Sequence, residues 1–110
     1  MYSMVKSMVD RGIPIDGVGM ETHTSIGFEA SEMVKTMAQI ADLGLEIHIT
    51  EFDASCTDPW HPKSCDWTTE NQDLQAKCYG SFLEACIGNR ACKSFETWGF
   101  TDKYTARTTA

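Results

Sequence analysis

Positive charge is scarce in this chain: nine Lys and Arg stand against sixteen Asp and Glu, a formal net charge of −7 over 110 residues. That balance works against polyanionic partners, so neither nucleic acid nor an anionic membrane is expected to bind, and it suits a soluble protein with a neutral ligand. Long apolar runs are missing as well. No segment approaches the roughly 18 residues of a membrane span. The opening MYSMVKSMVDRG has no uninterrupted apolar core of the kind that marks a secretory leader, so a secretion signal is expected outside these residues.

Cysteine, by contrast, is plentiful. Five residues, Cys56, Cys65, Cys78, Cys86 and Cys92, are many for a reducing compartment, and two pairs have loop-sized spacings: Cys56 with Cys65 and Cys86 with Cys92. Disulfides in an oxidising compartment are the first reading, with Cys78 left over. The rival is a metal site, because CTDPWHPKSC holds two cysteines and His61, but its spacing fits no common zinc pattern.

Helix, short turn and strand recur three times. Met1, Met4, Val5, Met8 and Val9 follow helical spacing until Gly12 and Pro14 stop the pattern, and IPIDGVGMETH then reads as a short buried strand. A second helix is expected from Phe28 to Leu43, with Met33, Met37, Ile40 and Ala41 inward and Gly44 closing it. LEIHITEFD is the second strand. Residues 54–68 form a long polar loop, and a third helix starts near Thr69, where Thr69 and Gln72 match a capping box. Its core face is Leu74, Cys78, Phe82 and Ala85; Gly88 ends it, and KSFETWGF is the third strand. Strands buried on both sides and separated by helices predict a parallel α/β arrangement. Three strands close no barrel, which takes about eight, so the chain is expected to be part of a larger domain.

Polar groups collect where these strands end: Glu21 and His23 on the first, Glu51 and Asp53 on the second, and Trp98 to Asp102 on the third. Parallel α/β folds build their sites from the carboxyl ends of successive strands. Strict alternation puts Glu51 and Asp53 on one face with Ile47 and Ile49 and turns His48 toward the helices as a satisfied interior histidine. A carboxylate fixed at a strand end beside a histidine serves as nucleophile or general base. The same two acids are equally compatible with a solvated strand terminus.

GIPIDGVGMETH, LEIHITEFD and ETWGFTDKYT, in this order, closely resemble the second half of glycoside hydrolase family ten, the endo-β-1,4-xylanases. The resemblance runs from about Gly12 to Tyr104. It implies a partial (β/α)₈ TIM barrel, approximately strands six to eight with their helices, so that residues 1–110 are the C-terminal portion of one catalytic barrel. It also implies a secreted retaining endo-xylanase that acts on xylan or xylo-oligosaccharides, without cofactor or metal, and is monomeric when complete. Glu51 matches the nucleophile, which forms a glycosyl-enzyme intermediate. Asp53 and His23 match the pair that supports it, Glu21 a substrate-binding position, and Trp98 the aromatic wall beside the cleaved bond. Gln75 matches a further position and reads as structural. The family often pairs cysteines where CIGNRAC holds Cys86 and Cys92, which supports a disulfide there.

Three departures stand out. The family carries Gln where this chain has Glu21, which adds a third carboxylate to the site. DKYTA, from Asp102 to Ala106, lacks the family's second tryptophan. The general acid/base, a Glu that the family carries on an earlier strand, has no match here, and Glu21 is its substitute only if a Gln position has changed role. Two alternatives remain: a non-catalytic carbohydrate-binding remnant of the same fold, and a complete small disulfide-stapled α/β domain.

Overall fold

A computed structural model describes residues 1–57 and 65–101. In chain order the elements are α1 (Tyr2–Asp10), β1 (Gly17–Met20), β2 (His23–Ser25), α2 (Ser31–Asp42), β3 (Glu46–Ser55), α3 (Thr69–Ile87) and β4 (Cys92–Thr97). Every strand pairing is parallel. β3 is central: β4 lies along one edge, while β1 and then β2 run along the other as a single strand interrupted at Glu21 and Thr22.

Glycine punctuation sets the helix ends. α1 closes at Gly12, whose φ of +70° is the left-handed conformation that a side chain resists, and Ile13 N–H reaches back to the Met8 carbonyl at 3.0 Å. α2 closes at Gly44 in the same way, with φ +78°. Its start differs from expectation: Ser25, Gly27 and Phe28 lie in a turn closed by a Phe28 N–H to Ser25 carbonyl bond, so the helix begins at Ser31 and Phe28 is exposed. α3 begins where expected, but its N-cap is Thr68, whose hydroxyl accepts from the Asn71 N–H at 3.2 Å. The Thr69–Gln72 capping box is thus displaced by one residue; Gln72 instead donates its side-chain N–H to the Trp67 carbonyl.

The core lies between the sheet and the helices. Met33, Met37 and Ile40 of α2, Ile47, Ile49, Phe52 and Ala54 of β3, and Cys78 and Phe82 of α3 form one buried cluster. Phe52 is its centre, fully buried, with ring centroids at 4.7 Å from Tyr79 and 5.0 Å from both Phe82 and Phe95. Burying a side chain of this size is worth about 1.5–3 kcal/mol before packing is counted. α1 contributes only Val5 to full burial, and Met1 and Met4 of its apolar stripe stay exposed.

The phase of β3 corrects the simple alternation. Ile47 and Ile49 are fully buried, but so are Phe52 and, nearly, Ala54, so the buried parity changes between Ile49 and Phe52. Pairing shows why. From Ile49 to Phe52 β3 advances three residues while β4 advances two, from Phe95 to Thr97. On the other edge β3 advances four residues, Ile49 to Asp53, against three from Met20 to His23. One extra residue sits in β3 at Thr50–Glu51, a bulge that re-aims the side chains beyond it. Glu51 and Asp53 therefore leave the face of Ile47 and Ile49. His48 does not face the helices either: it lies opposite Ile47 and Ile49, half-buried, with Nδ1 at 3.1 Å from the Ser94 hydroxyl and Nε2 at 3.5 Å from Glu46.

Cys56 is bonded to Cys65 and Cys86 to Cys92, while Cys78 is free and buried. With Cys56 and Cys65 joined, neither offers a thiolate to a metal. His61 lies outside the described residues, as do Asp102, Tyr104 and Ala106. Among the described residues no helix is long and apolar enough to cross a membrane.

Candidate active site

The site is assembled at the carboxyl ends of the strands, on the face of the sheet away from the helices. His23 pairs in register with Asp53 across β2 and β3, so their side chains project to the same side. The bulge brings Glu51 to that side as well. Thr22, immediately before His23, has φ +66°, uncommon for a β-branched residue, and its hydroxyl donates to the Met20 carbonyl at 3.1 Å. This kink separates β1 from β2 and lets Glu21 and His23 both approach the end of β3. Strain of that kind gathers at functional sites.

His23 is the hub. Its side chain is only 8% exposed, and its two ring nitrogens meet different acids. Nδ1 lies 3.0 Å from Asp53 Oδ1; Nε2 lies 3.4 Å from Glu51 Oε2 and 3.9 Å from Glu21 Oε2. Burial grades the three carboxylates in the same order: Asp53 is 14% exposed, Glu51 27% and Glu21 68%. Asp53 is thus the most enclosed of the three, Glu51 is partly exposed, and Glu21 is mostly open to solvent. Donor atoms of Glu21, His23 and Glu51 all lie within 4.8 Å of one another, so among the described residues these three are the group able to share a cation.

Trp98 follows β4 and is held by its backbone N–H, which donates to the Phe52 carbonyl at 3.0 Å. Its ring meets the His23 ring edge-on, with centroids 6.3 Å apart and planes at 75°, and the indole remains half-exposed. The geometry leaves an aromatic face beside the acids rather than a tryptophan in the core. Behind the site, Gln75 of α3 donates its side-chain N–H to the Ala54 carbonyl at 2.9 Å and pins β3 one residue past Asp53.

Of the residues singled out at the strand ends, Glu21, His23, Glu51, Asp53 and Trp98 are brought to one place, while Asp102 lies outside the described residues. Sequence reasoning missed Thr22. Its left-handed backbone leaves no mark in composition or periodicity, and threonine is among the residues least expected to adopt it.

A parallel α/β sheet with carboxylates at its strand ends defines the class, and comparison with known proteins gives the family. The glycosyl hydrolase family 10 pattern matches residues 1–110, and the chain belongs to that family. Endo-1,4-beta-xylanase B of Thermotoga neapolitana is 34% identical over 105 residues, which cover 94% of this chain and 29% of that protein. Endo-1,4-beta-xylanase A of Caldicellulosiruptor saccharolyticus is 35% identical over 114 residues, covering 94% and 32%. Among solved structures, native xylanase 10B from Thermotoga maritima superposes with a TM-score of 0.80 at 31% identity, covering 94% of this chain and 31% of that one. Xylanase10C from Cellvibrio japonicus in complex with xylopentaose gives 0.83 at 31% identity, covering 97% and 23%. This chain thus spans a third or less of each relative.

Proposed function

We propose that this chain is the nucleophile-bearing C-terminal part, approximately strands six to eight, of a secreted retaining endo-β-1,4-xylanase built on a (β/α)₈ barrel. One observation carries the reading: Asp53, His23 and Glu51 form a line of contacts at 3.0 and 3.4 Å behind a partly exposed carboxylate. Xylan or xylo-oligosaccharides are the substrate class, in keeping with the xylopentaose bound by the Cellvibrio neighbour.

In this mechanism a Glu51 oxygen attacks the anomeric carbon, the bond to the leaving sugar oxygen breaks, and a general acid outside this chain protonates that oxygen. Water, deprotonated by the same group acting as base, then displaces Glu51 and releases the sugar with retained configuration. Asp53 holds the His23 ring, and Nε2 holds the carboxylate in its attacking orientation. Trp98 offers its ring to the C–H face of the pyranose. Glu21, at the Gln position of the family, contacts substrate from the rim.

The test is a 2-fluorinated xylobioside with a good leaving group, incubated with the complete enzyme and mapped at the peptide level. The expected label is on the peptide that contains Glu51. A label on Glu21 overturns the assignment, and no label together with retained xylopentaose binding favours the carbohydrate-binding remnant.

A further inference from the structure

Three acids, Glu21, Glu51 and Asp53, stand around His23. Glu21 and Glu51 have His23 as their sole ion-pair partner among the described residues. His23 itself is arranged as a metal ligand would be: Asp53 faces Nδ1 at 3.0 Å, the carboxylate–histidine pairing that fixes the ring and turns the other nitrogen outward. That other nitrogen, Nε2, faces the oxygens of Glu21 and Glu51.

We propose that Glu21, His23 and Glu51 form a three-ligand site for a divalent transition-metal ion of the Zn²⁺ class, which binds over Glu51 and inhibits the enzyme. One imidazole nitrogen and two carboxylate oxygens are a donor set for such an ion, with a fourth position left for water. The spacing fits. Bonds of about 2.0–2.1 Å in tetrahedral geometry separate donor atoms by about 3.4 Å, and Nε2 already lies 3.4 Å from Glu51 Oε2. Nε2 and Glu21 Oε2 are 3.9 Å apart and must close by about half an ångström, within reach of an exposed side chain with free rotamers. Glu21 is the deciding residue, because a Gln there brings a neutral, weaker donor and one charge fewer. The ion is an inhibitor, not a participant in hydrolysis. Its binding does not depend on the catalytic reading; only the inhibition rests on Glu51 as nucleophile.

The experiment is calorimetric titration of ZnCl₂ into the complete enzyme in chelator-free buffer, for the parent, Glu21→Gln and, as a control at the neighbouring His48 pair, Glu46→Gln. Circular dichroism establishes that each is folded. One Zn²⁺ per chain is expected, with affinity about tenfold or more weaker in Glu21→Gln and unchanged in Glu46→Gln. Co²⁺ in place of Zn²⁺ should give the intense visible bands of a four-coordinate site. No saturable binding, equal affinity in Glu21→Gln, or loss in Glu46→Gln instead overturns the site. Binding as expected with xylan hydrolysis unaffected at saturating Zn²⁺ leaves the metal site standing and overturns Glu51 as nucleophile.

Discussion

Glu51 is met by a histidine that is itself met by a second acid. Asp53, 14% exposed, faces His23, and His23 faces Glu51. In the proposed mechanism Glu51→Ala removes the attacking atom and should lower kcat by about 10⁴-fold or more, as steady-state hydrolysis of a xylo-oligosaccharide will show. Asp53→Asn keeps the shape but weakens the hold on the imidazole. A misplaced reacting group costs about 10²-fold, so kcat should fall by that order while KM changes little. A larger rise in KM than fall in kcat would place Asp53 in substrate binding instead. Cys78 offers a contrast, a reactive group made inert by its surroundings. It is 2% exposed, and burial pushes its thiol above the ordinary value of 9.0. The folded state therefore holds this proton more tightly than the unfolded one. Its contribution to stability is intact below about pH 9 and lost as pH rises beyond. Denaturation midpoints of the complete enzyme from pH 8 to 10 should fall less for Cys78→Ala than for the parent.

β3 carries both the core and the site, and a single extra residue lets it do so. Ile47, Ile49, Phe52 and Ala54 pack toward the helices, while Glu51 and Asp53 turn to the other face across the bulge. Phe52 joins the two roles, since its ring meets Tyr79, Phe82 and Phe95 and its carbonyl holds the Trp98 N–H. Phe52→Ala should cost about 3–5 kcal/mol of stability, read from denaturant midpoints, and should disturb Trp98 fluorescence before unfolding. At the end of α3 the Cys86–Cys92 bridge ties the helix to β4 across a turn, with Cα atoms 5.3 Å apart. Closing so short a loop is worth about 2 kcal/mol. The Cys86→Ser, Cys92→Ser double variant should lose about that much, and non-reducing peptide maps of the parent should contain the linked pair.

Parallel sheets of this kind are ordinarily covered on both faces, and the helices among the described residues cover one. β1 with β2 forms one edge and β4 the other, and Met1, Met4, Phe28, Val34, Leu83 and Ile87 are exposed apolar side chains on the helices and turns around them. Open edges and apolar surface favour association over a stable monomer. Expressed alone, the 110 residues should be poorly soluble and should not hydrolyse xylan, since general acid catalysis contributes about 10²–10⁴ in rate and the proposed mechanism takes its donor from outside this chain. Adding a separately produced amino-terminal portion from a related xylanase should restore solubility and some activity. Appreciable turnover by the chain alone would mean that Glu21 or another carboxylate of this chain serves as the acid.

Helical periodicity at Met33, Met37 and Ile40, the stops at Gly12 and Gly44, and the cysteine spacings were legible in the sequence, because each depends on neighbours a few residues away. So was the gathering of Glu21, His23, Glu51, Asp53 and Trp98, because parallel strands joined by helices bring their carboxyl ends together. What the chain could not announce was the turn of β3 at Thr50–Glu51 or the left-handed Thr22. Alternation placed Glu51 with Ile49 and sent His48 toward the helices, and both placements were reversed. A bulge is settled by which register lets Phe52 fill the space between α3 and β4, and a strained threonine by whether pairing on both sides of it repays the distortion. Those are contests between distant segments, so packing decided on which face the acids stand.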